Sequence, residues 1–313
     1  MSRPRTLSLM ATMMVLLAML VSACGQSTAP SSSNAPTTAP AAEAPATDAP
    51  TAAAEATTAP ATEATAAPAE GAAAAQPVAD LGGRTLVIGS DTTYPPMEFV
   101  DDNRQIVGFD VDMMNEIGKL INAEVEFRTF PSFDAIFAAL ANKEFDMVVS
   151  AVSVTEERKQ IIAFSDPYLS IGQVISVPVG STTIASVADL TSVELVGVQG
   201  GTTGEQAALE AGVPAEKIKR YDTIDLAFQD LANGAVDAVV ADGPPSARYT
   251  QQLSDKIMVA GEPFTTEDYA IALQQGDEEL LTAVNAALAE LKANGTLEQL
   301  MEKWNLADVA NLP

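Results

Sequence analysis

From Leu86 onward the apolar positions follow two alternating rhythms. Leu86-Val-Ile-Gly89 is a short apolar run that reads as a buried strand, and Asp110 to Asn122 sets Val111, Met114, Ile117 and Ile121 on one helical face. Val125 to Arg128 reads as a second strand, followed by a helix over Phe133 to Asn142 that carries Phe133, Ile136, Phe137 and Leu140. The rhythm then recurs: Glu194 to Val198 as strand, Thr203 to Ala211 as helix, Lys217 to Arg220 as strand and Asp225 to Asn233 as helix.

The recurrence extends to residue identity. Phe137-Ala-Ala-Leu-Ala-Asn142-Lys-Glu-Phe-Asp146-Met-Val-Val-Ser150 matches Phe228-Gln-Asp-Leu-Ala-Asn233-Gly-Ala-Val-Asp237-Ala-Val-Val-Ala241, sharing Phe-x-x-Leu-Ala-Asn-x-x-x-Asp-x-Val-Val. Each copy ends a helix, turns and enters an apolar strand, so each unit is βαβαβ. That order predicts two α/β lobes with parallel-rich sheets under helices. Asp268 to Leu273 is read as a further strand. The helices Glu278 to Asn294 and Thr296 to Trp304, anchored by Leu281, Val284, Leu288, Leu291, Leu297, Leu300 and Trp304, are expected to return to the first lobe. The expected division is lobe 1 over 81–173 plus 265–313 and lobe 2 over 174–264. A two-strand hinge is expected near Gln173 to Val177 and Asp268 to Ala272. Open parallel sheets bind ligands beyond the carboxyl ends of their strands. Ser90-Asp91, Ser150-Ala151, Gln199-Gly200 and Ala241-Asp242 therefore mark the expected site.

Ahead of the lobes the pattern is different. Residues 1–23 read as an export signal: Arg3 and Arg5, an uncharged apolar stretch from Leu7 to Leu20, then Val21-Ser22-Ala23 before Cys24. This segment resembles the lipobox of bacterial lipoproteins, which implies lipidation of Cys24; an uncleaved anchor or a buried thiol are the competing readings. Residues 24–80 are rich in Ala, Thr, Pro and Ser. The stretch has eight Pro after Cys24, no aromatic residue, no Lys or Arg, and Val78 as its one large aliphatic residue. Such a segment buries too little to offset its ordering entropy and is expected to be a disordered tether.

Charge and composition narrow the chemistry. Sixteen Lys and Arg stand against 42 Asp and Glu, a net charge of −26, which disfavours nucleic acid as a partner. Beyond residue 80 there remain 14 basic and 36 acidic residues, so the acidity belongs to the lobes. The chain has no His and one Cys, which excludes His-based nucleophile systems, His-ligated zinc and an internal disulfide. Gly200-Gly201-Thr-Thr-Gly204 lacks the spacing of a dinucleotide loop and the Lys of a phosphate loop. Asp101-Asp102 and Asp277-Glu278-Glu279 lack the alternation of a Ca²⁺ loop. No metal or cofactor is expected.

Three segments resemble the family 3 solute-binding proteins, the polar amino acid receptors of ABC importers: Gly108-Phe-Asp-Val-Asp-Met113, Ser150-Ala-Val-Ser153-Val-Thr155-Glu-Glu-Arg158 and Val198-Gln-Gly-Gly-Thr-Thr203-Gly-Glu. The resemblance spans Leu81 to Trp304 and implies a periplasmic-binding-protein-like fold of type II. It also implies roles. Arg158 would grip the ligand α-carboxylate, with Ser153 and Thr203 adding hydroxyls. Asp242 would accept the α-ammonium, aided by the backbone at Ser150 and Ala151. Asp91, Tyr94, Glu98 and Phe133 would read the side chain, with Gln199 at the cleft edge.

From the residues themselves, Ser153 and Glu156 suggest a capping box one turn before Arg158, although a solvated surface arginine is the bland alternative. Asp242 ends an apolar strand and needs a partner, or else caps the turn at Pro244. Tyr94 and Phe133 are candidates for stacking on a stem or guanidinium, against ordinary core packing. Asp91 and Glu98 favour a basic ligand, arginine first, and Gln199 with Asp91 would suit glutamine.

The expectation is a lipid-anchored, extracytoplasmic, monomeric capture protein, not an enzyme, that meets an amino acid, a membrane permease and, through Cys24, the bilayer. A fold-related enzyme resembling cyclohexadienyl dehydratase is one rival. The other is a sensory module, against which stands the lack of a second apolar span or output domain before Pro313.

Overall fold

A computed structural model describes residues 78–313. The export-signal reading of 1–23, Cys24 and most of the expected tether lie outside the described residues. The tether's last residues do not behave as tether. Val78 and Ala79 pack against the core, and the Asp80 carboxylate accepts from Gly82 N and Asn122 Nδ2.

Two five-stranded sheets form the scaffold. The first runs Ala123–Thr129, Arg84–Ser90, Met147–Val148, Ala272–Leu273, Ala163–Phe164, and the second Ile218–Tyr221, Val196–Gln199, Ala238–Asp242, Gln173–Pro178, Ile257–Ala260. In each, the three strands of one βαβαβ unit are parallel, and two further strands are added antiparallel. Of the antiparallel half, the sequence shows Gln173 to Val177 and Asp268 to Leu273 as strands but not their place in the two sheets, because they come from outside the repeat.

The two units are clamped alike. In the first, Asp146 Oδ2 accepts from Val87 N at 2.8 Å while Asp146 N donates to Val87 O. In the second, Asp237 Oδ2 accepts from Glu194 N and Leu195 N at 2.9 and 3.0 Å, and Asp237 N donates to Leu195 O. The shared Asp of the echo therefore ties the third strand of each unit to its first. The shared Asn142 and Asn233 both terminate their helices.

The chain passes between the sheets through a two-stranded antiparallel ribbon, Leu169–Ile171 with Glu267–Tyr269. This corrects the expected hinge position. Gln173–Pro178 is a central strand of the second sheet, and the run Asp268 to Leu273 divides between the ribbon and the first sheet. The helices Glu278–Ala293 and Thr296–Lys303 return to the first lobe as expected, where Leu288, Leu291 and Leu297 pack in one cluster with Met114 and Ile117. Leu280 is the buried residue of the first turn, and Leu281 only flanks the core.

Two elements had no sequence signal. A small antiparallel sheet, Thr93–Tyr94, Glu98–Val100 and Ile106–Val107, presents Tyr94 opposite Glu98. The helix Gly243–Gln252 starts on Pro244 and Pro245, where the missing N–H groups cost nothing. At Gly108, which opens the helix Phe109–Leu120, φ is 145° and a Cβ would meet Met97 O at 2.0 Å, so the Gly of the Gly-Phe-Asp motif is sterically required.

Candidate functional site

All eleven residues singled out in the lobes line one cavity, joined by Thr202. They arrive there because strand ends of both sheets converge. Asp91 follows Arg84–Ser90, Ser150 and Ala151 follow Met147–Val148, and Gln199 and Asp242 are the last residues of their strands. No helix among the described residues is long and apolar enough to cross a membrane.

Arg158 is 8% exposed, which removes the surface-arginine alternative. Its Nη1 donates to Ser153 O at 2.7 Å and its Nη2 to Gly201 O, carried by the second sheet, at 3.1 Å. The guanidinium carbon lies 4.7 Å from the Phe137 ring centroid and 5.4 Å from that of Phe133. Phe133 thus stacks on the protein's own cation as well as lining the cavity. Burial pulls the Arg158 pKa down, and Asp242, then Glu267, oppose this.

The expected capping box is absent. Arg158 begins a three-residue 3-10 turn, its N–H donates to Thr155 Oγ1, and Glu156 pairs with Lys159 at 2.7 Å. Ser153 instead bridges Tyr269 and brings its hydroxyl to 3.4 Å from Thr203 Oγ1. Thr203 is the first residue of its helix, as expected. Thr202 caps Thr203–Glu210, accepting from Glu205 N, which leaves Thr203 Oγ1 free to accept from Gln173 Nε2 at 3.1 Å.

Asp242 sits at the cap position of Gly243–Gln252, but its side chain does not cap. Its carboxylate turns into the cavity and accepts from Tyr94 OH at 2.7 Å, from Tyr269 OH and from Gln173 Nε2. All three donors are neutral. Burial, with the field of Glu267 behind it, raises the Asp242 pKa to about 6, against the pull of these three hydrogen bonds. Gln173 and Tyr269 belong to the site yet carried no motif; only the pairing of their strands brings them to Asp242.

The far end of the cavity is acidic. Asp91 Oδ2 accepts from Gln199 Nε2 at 2.6 Å and Oδ1 from Thr93 Oγ1 at 2.8 Å, while burial pushes its pKa up. Glu98 is fully buried and accepts from Ser150 Oγ at 3.0 Å, and Ser150 Oγ in turn accepts from Asp91 N at 2.9 Å. Ala151 adopts φ 47°, with its N–H donating to Asp110 Oδ2 at 2.9 Å.

The chemistry on offer is recognition. A cation in a turn of the first sheet and an anion at a strand end of the second, both buried, face one cavity with a second anion beyond them. The family model for bacterial extracellular solute-binding proteins, family 3, matches residues 86–307. The "Probable histidine-binding protein" of Neisseria gonorrhoeae is 37% identical over 238 residues, covering 75% of this chain and 88% of that protein. An ancestral arginine-binding protein, solved bound to arginine and also bound to glutamine, is 41% identical at a TM-score of 0.67, covering 70% of this chain and 97% of its own. An ancestral amino acid-binding protein described as a precursor of cyclohexadienyl dehydratase is 40% identical at a TM-score of 0.66, covering 70% and 95%. The fold is the type II periplasmic-binding architecture. Since the family match runs through both sheets and every residue of the cavity, this chain belongs to family 3 of the bacterial extracellular solute-binding proteins.

Proposed function

We propose that the cavity captures one free α-amino acid with a cationic side chain, arginine first, and that the chain delivers it to an ABC permease. The observation that carries this reading is the placement around one cavity of Arg158, in the turn between Met147–Val148 and Ala163–Phe164 of the first sheet, and of Asp242, at the end of a strand of the second. A zwitterion brings −1 and +1 on neighbouring groups, so Arg158 takes the carboxylate and Asp242 the ammonium. Asp91 then meets the distal cation, with Gln199 beside it. The names of the histidine- and arginine-binding relatives support a polar, basic ligand.

Capture proceeds by closure. Neither lobe alone satisfies both charges, so ligand contacts favour the form in which the lobes meet. The ribbon Leu169–Ile171 with Glu267–Tyr269 acts as the hinge. Within the site the groups satisfy one another: Tyr94 donates to Asp242, Gln199 to Asp91, and Arg158 to Gly201 O. The ligand replaces these contacts group for group. No reaction is performed. Cys24 carries the lipid that holds the monomer at the outer face of the membrane, and Cys24→Ala releases it into the aqueous phase of a detergent partition.

A thermal-shift screen over the twenty amino acids tests the ligand. Arginine gives the largest rise in Tm, and a flat response to every basic and amide amino acid overturns the reading. Incubation with prephenate or arogenate, followed by product analysis, separates capture from dehydration.

A further inference from the structure

We propose that Glu98 is a neutral carboxylic acid sharing one proton with Asp110, so that the pair holds a single negative charge at the acidic end of the cavity and Asp91 alone meets the ligand's distal cation. The part about the ligand rests on the amino-acid reading above; the shared proton does not.

The hydrogen bonds fix the direction of the network. Asp91 N must donate, so Ser150 Oγ accepts it and gives its own proton to Glu98 Oε1. At the other end, Asp110 Oδ2 accepts from Ala151 N at 2.9 Å and from Tyr168 OH at 3.0 Å. Two oxygens remain without a donor, Glu98 Oε2 and Asp110 Oδ1, both in residues with no exposed surface. The two side chains lie within hydrogen-bond reach of each other. Two carboxylates in contact cannot satisfy each other, because both only accept. One proton between them makes one carboxyl a donor to the other.

Among the described residues no cation takes the proton's place. The groups facing Glu98 are Asp110, Asp91, Tyr94 and Tyr168, and none carries positive charge. Arg158 is committed to Ser153 O and Gly201 O. No cluster of three metal-ligating side chains exists among the described residues. Burial and the fields of Asp110 and Asp91 push the Glu98 carboxyl well above its usual range. Burial raises Asp110 to about 6 against the pull of hydrogen bonds from Ala151, Tyr168 and Glu98. Asp110 is therefore the carboxylate and Glu98 the acid.

The arrangement matters for the ligand in two ways. Asp110 holds Ala151 at φ 47°, which sets the turn from Ser150 to Ser153 that walls the cavity. A neutral Glu98 also matches the charges one for one: Arg158 to carboxylate, Asp242 to ammonium, Asp91 to a distal cation. A second carboxylate there would stand unmatched.

Carbon-13 spectra of the ligand-free full chain, labelled at Asp and Glu and assigned through the backbone, test the proton directly. At about pH 7.5, above the ordinary range of either carboxyl group, the Glu98 carboxyl carbon is expected at the acid position and that of Asp110 at the carboxylate position. Both carbons at the carboxylate position overturn the proposal. Calorimetry with L-arginine supplies the second arm. Glu98→Gln, which copies the shape of the neutral acid and keeps a donor for Asp110, binds at least about tenfold tighter than Glu98→Ala, which strips the network. Equal losses in the two variants would make Glu98 a ligand anion and overturn the assignment. Absence of any L-arginine binding by the wild-type chain counts against the ligand reading, and the spectra still decide the proton.

Discussion

The two βαβαβ units use one frame and end in different chemistry. Asp146 and Asp237 clamp Val87 and Leu195 in the same way, which makes these positions equivalent. Four residues beyond them stand Asp91 in the first unit and Gln199 in the second, and the two are hydrogen-bonded to each other across the cavity. Five residues beyond the clamping aspartates stand Ala151 and Asp242. The first bends at φ 47°, and the second turns a carboxylate into the site. The frame repeats because a parallel sheet needs the same clamp wherever it is built. On the proposed reading, the strand ends differ because a zwitterion presents opposite charges to its two sides, and a symmetric site would serve neither.

The sharpest way to break this comparison is to remove the unlike charges. Arg158→Ala and Asp242→Ala should each weaken L-arginine binding by about 2–5 kcal/mol, or roughly 30- to 4,000-fold, read by calorimetry. Near wild-type affinity in either variant would dissolve the division of labour between the lobes. Asp91→Asn makes the two equivalent positions chemically alike. It should cost arginine about 1.5–3 kcal/mol and move the preference toward glutamine, measured as the ratio of the two affinities.

The pH dependence follows from Asp242. An unfolded Asp titrates near 3.9, whereas Asp242 in the fold titrates at about 6. Between those values the folded form binds the extra proton, so this group makes the ligand-free protein less stable as pH rises from about 4 to 6. Ligand binding shows the opposite trend, because the ammonium needs the ionised carboxylate. Affinity for L-arginine should fall by up to about tenfold per pH unit below 6, and Asp242→Asn should abolish that slope.

Smaller effects probe the shared frame. Asp146→Ala and Asp237→Ala each take the acceptor from the backbone of a first strand and should cost about 1–2 kcal/mol of unfolding free energy in urea. The two losses should be similar, and a large inequality would mean that the clamps are not equivalent. The smallest contrast lies one residue past the helix ends, where Lys143 has φ 66° and Gly234 has φ 74°. Nothing lies within 4 Å of a Cβ built at Gly234, so Gly234→Ala costs backbone strain alone, about 1 kcal/mol, and Lys143→Gly returns less than that.

Much of the frame was readable in the chain itself. The period of 3.6 in Phe109–Leu120 and the apolar runs around Val87 and Val239 depend on neighbours in sequence. The clamping Asp and the helix-ending Asn recur because local geometry demands them twice. The site residues were legible for a related reason, since strand order places Asp91, Ser150, Gln199 and Asp242 at equivalent ends. What escaped were contacts made by strands that the repeat does not contain. Gln173 and Tyr269 reach Asp242 only after the antiparallel additions pair, and the hinge moved to Leu169–Ile171 and Glu267–Tyr269 for the same reason.

The sequence by itself determined the two α/β units, their strand ends and the ionisable residues they carry, because helix period, strand run and turn chemistry act over a few residues. Only the tertiary structure decided which of those residues keep their charge. Glu98 and Asp91 look alike on the chain, but one is buried against Asp110 with no exposed surface, and the other receives Gln199 and Thr93. Protonation is set by desolvation and by neighbouring charge, and both are properties of what the fold brings close.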